Sequence, residues 1–399
     1  MYKLAIISTH PIQYYAPLFR LLSQADELKI KVYYLWGKDT AGKKFDPGFG
    51  KDVEWDIPLL NGYGYSFVEN VSKNPGTHHF FGINNPDLIR QINKWQPNAF
   101  LIFGWNLFSH LKVMLHFKNH IPLYFRGDST LLDEAPGTRK ILRRIFLRWV
   151  YKHIDYAFYV GTRNKEYYLA HGLKEHQLIF APHAVDNKRF MENGEDKKLE
   201  AMQWRRKLGI KDDNFVILFA GKLESKKNPS LLLETFIKWQ NPKTHLIFVG
   251  NGVQEEELKK IASFNPAIHF LPFQNQSIMP VVYRLGDLFV LPSQGPGETW
   301  GLSVNEAMAC GLPVLVSDKV GCAVDLIRQG ENGFIFKSND QNELIKLFNK
   351  CCYTYEPAIA GMLDLNKLKQ MGLKSSEIIE QYSIDILAEN ITHTIKDNL

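Results

Sequence analysis

Residues 297–314 read Gly297-Glu298-Thr299-Trp300-Gly301-Leu302-Ser303-Val304-Asn305-Glu306-Ala307-Met308-Ala309-Cys310-Gly311-Leu312-Pro313-Val314. An apolar run precedes this stretch and residues 302–310 have helical spacing, which predicts a strand, a turn and then a helix. Eight positions at about 100° each bring a helical side chain back to roughly 80° from its starting direction. We therefore expect Glu306 to face the same side as Glu298. Main-chain N–H groups near Gly301 and Leu302, at the helix start, can bind an anion.

Carboxylates beside an anion site are suited to bind hydroxyl groups, such as those of a ribose or a sugar. This layout resembles the E-x7-E signature of the retaining glycosyltransferases of family 4 (glycosyltransferase group 1). The match includes Pro292-Ser293 before the stretch, the run Glu306 to Pro313 within it, and Asn332-Gly333-Phe334 after it. The resemblance implies the α/β GT-B fold, which has two facing Rossmann-like domains with parallel sheets and a cleft between them. It also implies that Glu306 binds the ribose and that Glu298 contacts the transferred sugar.

Length and composition agree with a two-domain globular protein. The chain has 399 residues, more than one hydrophobic core usually serves, with 45% apolar and 23% charged residues. The four cysteines lack metal-ligand spacing, and the apolar run at Met1–Ser8 is too short for a signal peptide. We therefore expect a cytoplasmic protein, and the basic stretch at 138–152 also allows a peripheral position on the inner face of the plasma membrane. The net charge of +6 is mild and no nucleic-acid recognition motif is present, so no nucleic-acid partner is expected.

Strand and helix patterns alternate through both halves of the chain, which predicts parallel sheets covered by helices. The predicted division is an acceptor-binding domain at 1–190 and a nucleotide-sugar-binding domain at 191–374. By resemblance, a C-terminal helix at 375–399 packs back on the first domain. A long irregular stretch at 37–85 interrupts the first half, and loops of this length are often functional.

Two lysines follow a predicted strand in Ala220-Gly221-Lys222-Leu223-Glu224-Ser225-Lys226-Lys227. The family has Gly-Arg-Leu and a later lysine here, so the resemblance places Lys222 at the arginine position and Lys227 at the lysine position. Two cations at a strand end can stabilise a diphosphate as the glycosidic bond breaks. Lysine at position 222 departs from the family arginine, and it cannot bind a phosphate in the bidentate way that arginine can. The alternative is a lysine-rich surface turn.

Further donor-binding candidates are glycines and aromatic residues near predicted strand ends. They are Gly221, Gly250, Gly252, Phe273, Trp300, Gly301 and Leu302. The glycines allow a close main-chain approach to a nucleotide, and the resemblance assigns the region of Phe273 to the base. The chain has no convincing Asp-x-Asp metal signature. We therefore expect no metal and no cofactor, with the lysines and the helix start in the metal's role.

The acceptor side departs from the family pattern. His10 and Gln13 occupy the loop after the first strand, where family members often carry paired glycines; they are acceptor-binding candidates, with a purely structural loop as the alternative. Arg126 and Asp128 stand near the position of a family histidine. Asp128 can hold the acceptor hydroxyl or take its proton, and Arg126 can pair with Asp128 or with a phosphate. A turn with a surface ion pair is the alternative.

The predicted reaction is transfer of a sugar from a nucleotide-diphosphate sugar to a glycan or lipid-linked glycan, in cell-surface polysaccharide synthesis. The residues expected to act in catalysis are Glu298, Lys222, Lys227 and Asp128. No nucleophile stands out, so the resemblance favours front-face attack assisted by the departing phosphate. The alternatives are a sugar-nucleotide 2-epimerase of GT-B fold and a non-catalytic glycan-binding scaffold. The segment Pro182-His183-Ala184-Val185-Asp186 resembles a family motif near the domain junction and is interpreted as structural.

Thr138–Lys152 carries six cations and no acidic residue. On a helix, Ile141, Leu142, Ile145 and Trp149 fall on one side. Such a helix can rest on an anionic membrane surface, as suits an enzyme with a lipid-linked acceptor. The alternative is a domain helix whose apolar face packs on the sheet.

Overall fold

The structure is a computed structural model and describes residues 1–46, 48–352 and 365–398. Its strands are β1 (Tyr2–Ser8), β2 (Leu28–Tyr34), β3 (Lys44–Asp46), β4 (Lys51–Val53), β5 (Tyr65–Phe67), β6 (Ala99–Phe103), β7 (Leu123–Arg126), β8 (Tyr156–Tyr159), β9 (Leu178–Phe180), β10 (Phe215–Ala220), β11 (Thr244–Val249), β12 (Ile268–Leu271), β13 (Leu288–Leu291), β14 (Val314–Ser317) and β15 (Gly333–Phe336). Its α-helices are α1 (Ala16–Gln24), α2 (Leu88–Trp95), α3 (Phe108–Phe117), α4 (Thr138–Tyr151), α5 (Thr162–Ala170), α6 (Asn187–Met191), α7 (Gly194–Lys207), α8 (Pro229–Trp239), α9 (Glu255–Ala262), α10 (Met279–Tyr283), α11 (Leu302–Ala309), α12 (Ala323–Leu326), α13 (Gln341–Cys352), α14 (Leu365–Glu380) and α15 (Ile384–Asp397).

The chain divides into two compact units. The first unit is Met1–Lys44, Ile57–Ala184 and Ile384–Leu399, and the second is Phe45–Asp56 and Val185–Ser383. No helix within the described ranges is both long enough and apolar enough to cross a membrane.

The first unit contains a seven-stranded parallel sheet in the order β5-β2-β1-β6-β7-β8-β9. Consecutive residues of the inner strand β1 belong to two different cores, because side chains alternate between the faces of a strand. Ala5 and Ile7 lie in one core, and Leu4 and Ile6 lie in the other. Both faces of the sheet are therefore covered, which explains the continuous apolar runs in the sequence.

The last helix, α15, completes one of these cores. Its apolar side chains pack with α1 and the first strands; they are Ile384, Leu387, Ala388, Ile391 and Ile395. Asn390 donates a hydrogen bond from Nδ2 to the carbonyl oxygen of Phe180 at 3.0 Å. The C-terminal helix is thus an integral part of the first unit.

The second unit contains a six-stranded parallel sheet in the order β12-β11-β10-β13-β14-β15. The strand order reverses between β10 and β13, and ligands of such sheets bind beyond the carboxyl ends of the strands at this reversal. Strand β10 ends directly before Gly221 and Lys222, and β13 ends seven positions before Glu298. The topology therefore brings the two sequence motifs to one edge of the sheet.

Residues Phe45–Asp56, which we term the 45–56 segment, pack with the second unit although sequence from the first unit flanks them. Strands β3 and β4 form a two-stranded sheet here. The end of the segment is attached to the loop after β12: Asn275 Nδ2 donates to the carbonyl oxygen of Glu54 at 2.6 Å, and Ser277 N donates to Asp56 Oδ1 at 3.0 Å.

The observed units differ from the predicted boundaries of 1–190, 191–374 and 375–399. Beyond the 45–56 segment, the chain passes between units twice more, after Ala184 and after Ser383, and α14 belongs to the second unit. Val185 forms a β-bridge with Ser383, and Asn187 Nδ2 donates to the carbonyl oxygen of Ile379 at 2.9 Å. These tertiary contacts hold Val185 and Ser383 in the second unit. The alternation of strands and helices in the sequence does not predict such contacts.

Candidate functional site

The turn before α11 requires glycine at position 301. Gly301 has a φ of 99°, in the left-handed region, and forms the N-cap of the helix. A Cβ atom there would lie 2.9 Å from Val320 Cγ1 and 3.1 Å from Leu291 Cδ2. Glycine thus permits both the backbone direction and the close packing that fix the helix start behind Glu298. The predicted strand, turn and helix are observed.

Glu298 and Lys227 form a buried ion pair. Lys227 Nζ lies 2.7 Å from Glu298 Oε2, and the two side chains are 15% and 6% exposed. Ser293 donates its hydroxyl to the same carboxylate oxygen at 3.0 Å. Lys227 ends a one-turn 3-10 helix, Ser225–Lys227, that follows β10. The structure therefore brings together a lysine and a glutamate that were predicted from separate motifs.

Glu306 lies on the buried side of α11 and is 3% exposed. The hydroxyl of Tyr283, a fully buried residue of α10, donates to Glu306 Oε2 at 2.6 Å. Sequence reasoning missed Tyr283, which belongs to no recognisable motif, and it named Ser293 only as part of the family match, without a role. The ribose contact of Glu306 stays a prediction.

Lys222 pairs with a residue that sequence reasoning also missed. Its ammonium lies 2.8 Å from Oδ1 and 3.1 Å from Oδ2 of Asp46, in the 45–56 segment. Asp46 lies in the long irregular stretch, where no motif marked it. Both lysines of the turn thus pair with specific carboxylates, Lys222 with Asp46 and Lys227 with Glu298.

The candidate glycines and Phe273 lie at the ends of β10 to β12. A Cβ on Gly250 would lie 2.1 Å from the carbonyl oxygen of Gly221, and one on Gly252 would lie 2.4 Å from that of Leu223. These glycines let the two strand-to-helix turns pack against each other. Phe273 N donates to Asn251 Oδ1 at 2.9 Å, which fixes the next turn beside them.

Trp300 is buried, with 3% exposure, and its indole nitrogen donates to Asn305 Oδ1 at 2.8 Å. Leu302 is the first residue of α11. These contacts show how Trp300 supports the turn; its contact with a donor stays a prediction, as does that of Leu302.

Arg126, at the end of β7 in the first unit, is 2% exposed. Its guanidinium donates to two carbonyl oxygens, from Nη1 to Ala181 at 2.6 Å and from Nη2 to Pro182 at 2.8 Å. Burial lowers the pKa of Arg126, while the neighbouring Tyr15, Tyr168 and Asp128 raise it. A surface ion pair is therefore the wrong interpretation of Arg126, because it holds together buried segments of the unit.

Asp128 lines a cavity of about 270 Å³ in the first unit. The cavity lies where β6 and β7 end, and its lining includes Trp105, Asn106, Ser129 and Arg143. Because ligands of parallel sheets bind beyond the carboxyl ends of the strands, this position suits a binding site.

His183 is a further buried group near Asp128 that sequence reasoning treated as structural. Burial lowers its pKa to about 4, with Asp128 raising the value and Arg126 lowering it. Tyr15 faces the same two charges, and burial together with Asp128 raises its pKa to about 12.

The other acceptor candidates lie in the loop after β1. The ring of His10 packs edge-on against Trp36 at 5.2 Å between centroids, and its Nδ1 lies 2.8 Å from Thr9 Oγ1. Gln13 is half-buried. Their binding of an acceptor stays a prediction.

Helix α4 packs through a different face from the predicted apolar one. Leu147, Val150 and Tyr151 are buried. The four side chains named from the sequence are exposed: Ile141 by 60%, Leu142 by 66%, Ile145 by 62% and Trp149 by 43%. The alternative in which this face covers the sheet is therefore wrong.

Metal-binding side chains do not cluster: in the described parts of the chain, no group of three or more His, Cys, Asp or Glu could hold an ion.

Comparison with known proteins identifies the second half of the chain. Residues 201–353 match the family model of glycosyl transferases group 1. The sulfoquinovosyl transferase SQD2 of Arabidopsis thaliana is 24% identical over 277 residues, which cover 65% of this chain and 51% of that protein. The alpha-monoglucosyldiacylglycerol synthase of Acholeplasma laidlawii is 31% identical over 166 residues, which cover 40% of each chain. The chain spans about half the length of the curated relatives it matches.

Solved structures match along the whole chain. HepE of Anabaena, solved in complex with UDP, has a TM-score of 0.71 at 16% identity and covers 100% of both chains. WaaG, a glycosyltransferase involved in lipopolysaccharide biosynthesis, has a TM-score of 0.64 at 14% identity and covers 98% of this chain and 99% of its own. The resemblance and the fold class predicted from the sequence are thereby confirmed. Residues 201–353 match the model of the glycosyl transferases group 1 family, and the chain has the GT-B fold.

Proposed function

We propose that the protein is a retaining glycosyltransferase that transfers a sugar from a nucleotide-diphosphate sugar to a glycan or lipid-linked glycan, without a metal. The observation that carries this proposal is the buried pair Lys227–Glu298 at the strand-order reversal of the second unit. The curated relatives are glycosyltransferases, and HepE was solved with UDP, which supports a nucleotide donor.

In the donor half, Lys227 and Lys222 would bind the diphosphate and offset the charge that grows on it as the glycosidic bond breaks. The N–H groups at the start of α11 add a further anion site. Glu298, already oriented by Lys227 and Ser293, would accept a hydrogen bond from a hydroxyl of the transferred sugar. The reaction retains configuration by front-face attack, with the departing phosphate helping to remove the acceptor proton.

In the acceptor half, Asp128 would hold the acceptor hydroxyl in the cavity of about 270 Å³ that it lines. Arg126, through its two carbonyl contacts, would keep the strand end in place beside it. His10 and Gln13 would contribute from the neighbouring loop. The exposed apolar face of α4, with its arginines, would rest on an anionic membrane that carries a lipid-linked acceptor of cell-surface polysaccharide synthesis. The protein would then be peripheral on the inner face of the plasma membrane.

A thermal-shift and hydrolysis screen against UDP-, GDP- and ADP-sugars tests the proposal. We expect one nucleotide to raise the melting temperature of the wild type and to have no effect on Lys227→Ala. If none of the nucleotides binds, the proposal is wrong and the glycan-binding scaffold gains support. An epimerase would instead interconvert its sugar nucleotide with no acceptor present.

A further inference from the structure

The 45–56 segment covers Lys222. Both oxygens of Asp46 accept hydrogen bonds from the Lys222 ammonium, and the two side chains are 31% and 30% exposed. A Cβ on Gly48 would lie 2.5 Å from both Cδ and Nζ of Lys222, so the main chain of the segment lies directly on the lysine. The Phe49 ring is 4.9 Å from the same ammonium. Any anion that binds Lys222 has to share it with, or take it from, this segment.

The same segment also contacts Phe273. The centroids of Phe49 and Phe273 are 4.7 Å apart, and Trp55 lies 6.1 Å from Phe273. The Lys51 ammonium is 4.5 Å from the Phe273 centroid. The segment thus reaches two candidate donor residues that follow different strands, β10 and β12.

Asp46 is an anion at neutral pH. Burial raises its pKa, but the hydrogen bond and charge of Lys222 and the N–H groups of Gly48 and Phe49 lower the pKa by more, so that it falls below its usual value. A nucleoside diphosphate and Asp46 therefore both present negative charge to the same ammonium.

We propose that Asp46 competes with the donor diphosphate for Lys222. When the nucleotide binds, its diphosphate replaces Asp46 on the lysine. Asp46 returns to the lysine when the nucleoside diphosphate leaves, so the segment weakens product binding and speeds release, a step that often limits turnover. This inference rests on the proposed donor function of Lys222.

Asp46→Asn is the variant that tests it. Asparagine keeps an Oδ1 atom for the N–H groups of Gly48 and Phe49, which lie 2.8 and 3.2 Å from the aspartate oxygen, but it removes the charge. By calorimetry we expect UDP, GDP or ADP, whichever the wild type binds, to bind Asp46→Asn about two- to fivefold more tightly, which is the range of a part-exposed ion pair. Inorganic pyrophosphate should show the same gain, since the competition involves only the diphosphate.

Two controls isolate the cause. Glu54 is exposed in the same segment, so Glu54→Gln removes an equal charge without touching Lys222 and should leave the affinity unchanged. On a Lys222→Ala background, Asp46→Asn should give no gain, because the group for which the two anions compete is gone.

The outcomes separate the two proposals. Suppose that the wild type binds a probe. If Asp46→Asn then binds it no more tightly, or if Glu54→Gln gains as much affinity, the competitor role is wrong and the donor site still stands. If neither the wild type nor Asp46→Asn binds any of the four probes, both the donor function and the competitor role are wrong.

Discussion

Replacing Lys227 with alanine would leave a carboxylate buried without its cation. Glu298 is 6% exposed, and Lys227 Nζ, at 2.7 Å, is the cation paired with it. Ser293 would still donate one hydrogen bond to the carboxylate, but a hydroxyl does not neutralise its charge. We therefore expect Lys227→Ala to destabilise the second unit.

The magnitude follows from the burial of the pair. Removing one partner of a buried ion pair costs about 3–5 kcal/mol. The 15% exposure of Lys227 and the remaining Ser293 bond place the loss at the lower end, about 3 kcal/mol. For a unit of this size each kcal/mol shifts the melting temperature by about 2–4 °C, so the expected fall is about 6–12 °C.

Scanning calorimetry of the wild type, Lys227→Ala and the neutral double variant Lys227→Met/Glu298→Gln measures this effect. The double variant removes both charges and should recover most of the loss, whereas neither variant should be stabilised by a nucleotide. A fall of less than about 2 °C in Lys227→Ala would mean that solvent already neutralises the carboxylate. A double variant as unstable as Lys227→Ala would show that packing, rather than charge, explains the loss.

Three further perturbations probe other parts of the chain. Burial lowers the pKa of His183 to about 4, so below about pH 6.5 the unfolded chain takes up a proton on this histidine that the folded chain does not. The free energy of unfolding therefore falls as the pH falls from about 6.5 towards 4. His183→Gln should flatten this part of a profile of melting temperature against pH. Gly301→Ala adds a strained φ and a close contact, and should lower the free energy of unfolding by about 2–4 kcal/mol and abolish the thermal shift by nucleotide. Arg139→Gln/Lys152→Gln should weaken binding to anionic vesicles about 30-fold in a sedimentation assay, at ~1 kcal/mol per cation.

Matched controls accompany these variants. His176 is exposed, so His176→Gln should leave the acid limb of the profile unchanged. Gly209 also has a positive φ of 77° but nothing within 4 Å of its Cβ position, so Gly209→Ala should lose only about 1 kcal/mol. Lys29→Gln/Lys211→Gln removes two exposed cations outside α4 and should bind vesicles as the wild type does. An equal effect in a control would contradict the corresponding argument.

The sequence alone determined the class of fold and pointed to the candidate donor motifs. Apolar runs buried on both faces predict parallel strands, and the spacing around Glu298 predicts a strand, a turn and a helix, because both patterns follow from local backbone periodicity. The positions of Lys222, Lys227, Glu298 and Glu306 resemble those of one family, and residues 201–353 match the model of that family.

Only the tertiary structure decided which of these groups meet. Lys227 pairs with Glu298 because strands β10 and β13 are neighbours at the strand-order reversal. The local sequence pattern of either strand does not predict that they are neighbours. The pairing of Asp46 with Lys222 joins residues 176 positions apart, and the role of Arg126 depends on carbonyl oxygens 55 and 56 positions away. The exposure of Ile141, Leu142 and Ile145 could likewise not be predicted from the sequence, because an amphipathic pattern does not determine which side of a helix packs on the protein. Such contacts depend on long-range chain packing, whereas sequence periodicity reports only the conformation of each segment.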